Sequence, residues 1–123
     1  MEVVRSIYTA WEKGDFSSTE WADPDIEFQL PSERPVHGVA AMGQAWGGWL
    51  QAWDDIAVTP QAFHEEGNYV VGIHHFRGKG KRSGIPAEGL PGACVFTLEQ
   101  DKVVRLTLHS HEQDALEAAG LSE

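Results

Sequence analysis

The stretch Val39-Ala40-Ala41-Met42-Gly43-Gln44-Ala45-Trp46-Gly47-Gly48-Trp49-Leu50-Gln51-Ala52-Trp53 holds three of the chain's five tryptophans. Trp46, Trp49 and Trp53 recur at the spacing of one helix face. Met42, Ala45 and Leu50 share that stripe, and Gln44, Gly47, Gly48 and Gln51 fall opposite. The spacing predicts a helix ending near Asp54, with all three indoles on one side. So much rigid aromatic area either closes a core or walls a pocket. In both cases the rest of the chain must supply a broad apolar surface to face it.

The remaining pattern is helical first and extended later. Val3, Val4, Ile7, Tyr8 and Trp11 recur at helical spacing, with Gly14 as the stop. Ser17 or Ser18 caps a predicted short helix running to about Ala22. Asp23-Pro24-Asp25 is turn chemistry, and Ile26 to Pro31 alternates as a strand. Pro31, Pro35 and Gly38 mark a loop before the tryptophan helix. Beyond that helix, Ile56 to His64 reads as a strand with an edge or bulge at Pro60. Glu66-Gly67-Asn68 is a tight turn. Tyr69 to Arg77, Gly92 to Glu99 and Val103 to His109 are further strands, and Gln113 to Ala119 is a terminal helix before Gly120. The glycine-rich stretch from Gly78 to Gly92 has two readings, a lid over a pocket mouth or a long hairpin loop. It lacks the spacing of a phosphate-binding loop.

At 123 residues the chain is the length of one domain, spanning 1–123. Its net charge of −10 disfavours nucleic acid and anionic membranes as partners, since a phosphate backbone demands a basic footprint. The one cysteine, Cys94, excludes an internal disulfide, which fits a reducing, cytoplasmic location. No signal pattern opens the sequence and no apolar run is long enough to span a membrane.

Helices followed by a run of antiparallel strands imply an α+β fold. The segments Glu2 to Asp15, Asp25 to Pro31, the aromatic helix ending Trp53-Asp54-Asp55, Gly67 to Val71, Asp101 to Val104 and Ala115-Leu116 together resemble a SnoaL-like (polyketide cyclase-like) domain of the nuclear transport factor 2-like superfamily. The resemblance spans nearly the whole chain through many small matches. It implies a cone-shaped α+β barrel, with N-terminal helices packed in the concavity of a curved, mostly antiparallel sheet. It also implies a pocket for a small hydrophobic ligand between sheet and helices, and a homodimer formed through the convex face. It fixes no reaction, because the superfamily hosts isomerases, epoxide hydrolases, dehydratases, cyclases and non-catalytic binders.

Strand alternation then assigns faces. Val104, Leu106 and Leu108 are expected inward, with Arg105, Thr107 and His109 outward. Cys94, Phe96 and Leu98 are expected inward. So are Val70, Gly72, His74 and Phe76, a choice that leaves Arg77 outside. Ile26, Phe28 and Leu30 form the core side of the first strand, although in the resembling family the Glu27 and Gln29 side often meets the pocket. The family's catalytic sets are altered here. The ketosteroid isomerase-type base position falls at Gln29 and the later acid near Cys94, while Tyr8 lies close to the tyrosine position. His74, Phe76 and Leu108 occupy the epoxide hydrolase-type positions, and Leu108 takes that of the cyclase-type aspartate.

The predicted site is thus an aromatic pocket with few polar groups. His74 is the candidate general acid/base, since imidazole titrates near neutrality, and Glu27 is its candidate carboxylate partner. Tyr8, Trp11, Phe28, Gln29, Trp49, Trp53, Phe76, Cys94 and Leu108 are the candidate ligand-binding residues, with Trp49 and Trp53 nearest the ligand and Trp46 packing. A structural role competes for each: a core histidine for His74, a surface strand residue for Glu27, a small buried hydrophobe for Cys94. His109-x-His111 has metal-ligand spacing but lacks an evident third ligand, so neither metal nor cofactor is expected. Two function classes stay open: an enzyme doing proton-transfer chemistry of isomerase, cyclase, dehydratase or hydrolase type on a small hydrophobic substrate, and a non-catalytic ligand-binding or dimeric scaffold domain.

Overall fold

In the computed structural model, residues 2–16, 19–31 and 33–119 are described, apart from the side chain of Trp49. Helix α1 (Glu2–Glu12) precedes strand β1 (Ala22–Gln29), the short strand β2 (Val36–His37) and helix α2 (Val39–Leu50). Four strands follow, β3 (Trp53–Glu66), β4 (Tyr69–Gly80), β5 (Pro86–Glu99) and β6 (Lys102–His109), and then helix α3 (Glu112–Ala118). The six strands form one curved, open sheet in the order β2-β1-β6-β5-β4-β3. Strands β1 and β6 are parallel and the other neighbours antiparallel. This is the expected cone-shaped α+β architecture, with the sheet left unclosed. Among the described residues no helix is long and apolar enough to cross a membrane.

Helix α1 forms because Val4, Ile7, Tyr8 and Trp11 place one apolar stripe against the sheet, and all four are buried. It stops at Gly14, whose φ of +80° is unfavourable for a side chain and whose added Cβ would lie 2.9 Å from the Ile56 carbonyl oxygen. Met42 and Trp46 of α2 join the same core, together with Ile26, Phe28, Val70, Phe76, Cys94, Phe96 and Leu106. The opposite face of the sheet carries a smaller cluster. There Val71, Ala93 and Val95 pack against Ala115 and Ala119 at the C-terminal helix.

Several expectations are corrected. Ser17 and Ser18 lie outside the described residues, but no helix runs on to Ala22, because a turn from Thr19 delivers Ala22 into β1. Asp23-Pro24-Asp25 is not a turn ahead of the strand but lies within β1. Its turn chemistry survives as the Asp25 N–H donating to Asp23 Oδ1, within a register irregularity between Ala22 and Glu27. The tryptophan helix ends at Leu50, so Trp53 is not on it. Trp53 opens β3 opposite Gly80, its ring edge-on to Phe76 at 5.2 Å. The stretch from Gly78 to Gly92 is not a long loop. Strands β4 and β5 extend into it, pairing Gly78 with Ala87 and Lys79 with Pro86, so only residues 81–85 form the connecting turn. Val104 is not the inward residue of β6. A register shift between Thr97 and Leu98 gives the core position to Val103, after which Leu106 and Leu108 face in as expected. Pro60 behaves as predicted, since the ladder skips from Pro60 to Ala62 and β3 is an edge strand.

Candidate functional site

Tyr8, on the inner stripe of α1, is fully buried and edge-on to Trp11, Phe63 and Phe96. Its hydroxyl lies 3.1 Å from Nδ1 of His74 and 3.3 Å from the Gly72 carbonyl oxygen. The single phenolic proton can be donated to only one of these acceptors at a time. When it goes to Nδ1, the imidazole hydrogen sits on Nε2. Two glycines make room for this pair. A Cβ on Gly72 would come within 2.5 Å of the tyrosine ring and hydroxyl, and one on Gly92 within 2.6 Å of His74 Nε2. Both arise from the β4–β5 register, in which Gly72 faces Cys94 and Gly92 faces His74.

Burial sets the protonation states of this cluster. It lowers His74 to about 4, with a smaller contribution from neighbouring His75. It pushes the Cys94 thiol up to about 12, against the opposing effect of a hydrogen bond with Tyr8. It also raises the Tyr8 phenol well above its ordinary value, with Cys94 adding to the effect. At neutral pH the cluster is therefore a neutral thiol, a neutral phenol and a neutral imidazole.

His74 borders a cavity of about 290 Å³ between the sheet and the helices. Its aromatic wall is Trp11, Phe16, Trp46, Trp53 and Phe76. Leu30, Val58, Leu90 and Leu108 continue the apolar lining, while His74, Cys94, His109 and Ser110 supply the polar side chains. Among the described residues that border it there is no aspartate, glutamate, lysine or arginine.

The structure brings most of the predicted site together. Trp11, Trp53, His74, Phe76, Cys94 and Leu108 border the cavity. Tyr8 stands behind His74, and Phe28 behind Trp46, on which it stacks at 5.2 Å. The Trp49 side chain is outside the described residues. Gln29 donates to the Glu33 carbonyl oxygen at 2.8 Å and borders a different cavity. Glu27 is not brought to His74. It alternates with the buried Ile26 and Phe28, so it faces the other side of the sheet. There it pairs with Arg105 Nε at 2.9 Å and His37 Nε2 at 3.3 Å. His109 Nε2 lies 3.0 Å from Thr107 Oγ1, and among the described residues no three His, Cys, Asp or Glu side chains are grouped to hold a metal ion.

Phe16, Leu90, His109 and Ser110 also border the cavity but were not among the predicted residues. Trp46 both packs and lines it. Strand alternation sends His109 outward. His109 keeps that face, hydrogen-bonded to Thr107, and reaches the cavity because β6 ends there.

Solved structures share this architecture. TerC, co-crystallised with polyporic acid, superposes with a TM-score of 0.75 at 19% identity, covering 87% of each chain. An NTF2-like protein from Burkholderia thailandensis E264 matches with a TM-score of 0.76 at 20% identity, over 98% of this chain and 94% of its own. A protein with a ketosteroid isomerase-like fold from Catenulispora acidiphila DSM 44928, in complex with trimethylamine, matches at 0.75 and 14% identity, over 98% and 93%. At these identities the likeness is one of fold. No curated protein sequence matches the chain. The pattern of the SnoaL-like domain matches residues 4–106. The chain belongs to the SnoaL-like domain family.

Proposed function

We propose that this protein binds a small, largely apolar molecule carrying a hydrogen-bond acceptor, with His74 as the acceptor's partner. One observation carries the reading: a neutral imidazole, anchored through Nδ1 by a buried tyrosine, borders a cavity that is otherwise mainly aromatic and aliphatic. At about 290 Å³ the cavity is at the small end of ligand sites. Two neighbours of the same fold hold small molecules, polyporic acid and trimethylamine, which supports the same class of function.

A neutral imidazole donating from Nε2 polarises a carbonyl, so that solvent water can take the proton from the neighbouring carbon. That is the form in which a proton-transfer reaction of isomerase, cyclase, dehydratase or hydrolase type fits this site. Among the described residues no carboxylate borders the cavity, and a histidine lowered to about 4 is a weak base. Those two features favour the non-catalytic binding reading over the enzymatic one.

Acetylnaphthalene, an aromatic methyl ketone, and ethylnaphthalene, its hydrocarbon counterpart, separate the readings. The ketone is expected to bind more tightly and to raise the melting temperature more, and His74→Phe to remove that preference. In heavy water, exchange of the ketone's methyl protons above the buffer rate means catalysis, and no excess exchange means binding alone. If neither compound binds, the cavity is not a site for this class of molecule. The homodimer implied by the family resemblance belongs to the same proposal. It would form through the part of the convex face around His75 that α3 does not cover, and light scattering tests it.

A further inference from the structure

A second cavity, of about 280 Å³, lies beside the first at the end of the sheet. Leu30, Pro31, Leu108, His109 and Ser110 border both. The topology explains the junction. Strands β1 and β6 are parallel, with Gln29 paired to Thr107, so both end at the same side of the molecule. Beyond those ends the chain leaves the sheet, and space on the concave side meets space on the convex side around Leu108 and His109.

The two cavities differ in chemistry. The second is bordered by the polar side chains of Gln29, Thr107, His109, Ser110, His111 and Asp114. Thr107 and His109 hydrogen-bond each other at its wall, and the Gln29 amide is held by the Glu33 carbonyl, so part of this lining is already fixed. Among the described bordering residues Asp114 is the one carboxylate, it interacts electrostatically with His109, and none is a lysine or arginine. The whole chain carries a net charge of −10. A ligand carboxylate placed here would meet the Asp114 carboxylate, with no lysine or arginine among the described lining to offset the repulsion. A hydroxyl or ammonium group would meet acceptors.

We infer that the ligand is two-part: its apolar ring system fills the aromatic cavity, and a hydrogen-bond-donating substituent, hydroxyl or ammonium, reaches around the ends of β1 and β6 into the polar cavity. The inference rests on the small-molecule reading of the first cavity and names the ligand class for it.

The test compares acetylnaphthalene with derivatives bearing a hydroxypropoxy, aminopropoxy or carboxyethoxy chain on the far ring. Calorimetry on the full chain is expected to give hydroxy and amino derivatives binding roughly tenfold tighter than the parent, and the carboxy derivative binding more weakly than the parent. Asp114→Asn is expected to bring the amino derivative down toward the hydroxy one and to leave the parent unchanged, because Asp114 does not border the aromatic cavity. If the parent binds and none of the chains changes its affinity, the polar cavity is no part of the site. Equal weakening of the parent and the amino derivative by Asp114→Asn overturns the inference as well. If the parent itself does not bind, the small-molecule reading falls and takes this inference with it.

Discussion

The Tyr8 hydroxyl lies 3.1 Å from Nδ1 of His74, and this contact joins helix α1 to strand β4. It fixes the imidazole ring from behind while Nε2 lies over Gly92. Tyr8→Phe keeps the buried ring and its aromatic neighbours but removes the hydroxyl. The expected loss of stability is about 1–2 kcal/mol, measured by urea unfolding. The preference for a ketone over its hydrocarbon counterpart should fall, because the ring loses its anchor. An unchanged preference would mean that the contact does not orient His74.

His74 is lowered by burial from 6.5 to about 4 in the folded chain. In the unfolded chain it titrates near its ordinary value, so between these limits the unfolded state binds more protons. Stability therefore rises with pH through this window and is lost as pH falls through it. Above about 6.5 the group contributes no pH dependence. The full loss below about 4 is roughly 3 kcal/mol for a shift of this size. Urea midpoints measured from pH 7 downward should show the slope, and His74→Phe should flatten the part that this residue causes.

Gly72 and Gly92 should respond differently to alanine. A Cβ on Gly72 meets a fully buried tyrosine ring, which has nowhere to move, so Gly72→Ala is expected to cost about 1–3 kcal/mol. A Cβ on Gly92 meets the His74 ring, which borders open space. Gly92→Ala should leave the melting temperature closer to that of the parent and weaken ketone binding by displacing His74. Equal destabilisation by both variants would contradict this division.

Glu27→Gln should leave ligand binding intact, because Glu27 faces away from the aromatic cavity. The Glu27–Arg105 pair is partly solvent-accessible, so the stability change should stay within about 1 kcal/mol. Loss of binding in this variant would restore Glu27 as a partner of His74.

Most of the architecture was legible because period alone decides it. The stripe of Val4, Ile7, Tyr8 and Trp11 has one helical solution, and the alternation in β4 puts Val70, Gly72, His74 and Phe76 on one face. Trp53 misled because a residue seven positions from Trp46 fits a helix face, yet an aromatic residue opening an adjacent strand reaches the same space. The Gly78–Gly92 stretch read as a loop because glycine and proline depress strand propensity. Cross-strand pairing with β4 overrides that depression. Val104 failed for another reason: alternation holds only while register is kept, and the shift between Thr97 and Leu98 breaks it. Alternation alone leaves Glu27 open between pocket and surface. The partners that hold it, Arg105 and His37, come from other strands and could not be read from its own.

The most direct test is a nitrogen-15 NMR titration of the His74 ring, with and without acetylnaphthalene. A ring that stays neutral down to about pH 4, carries its proton on Nε2, and shifts that resonance when the ketone is added is the predicted result. A ring that titrates near 6.5, or whose Nε2 signal ignores a ketone that binds elsewhere on the protein, would contradict the account.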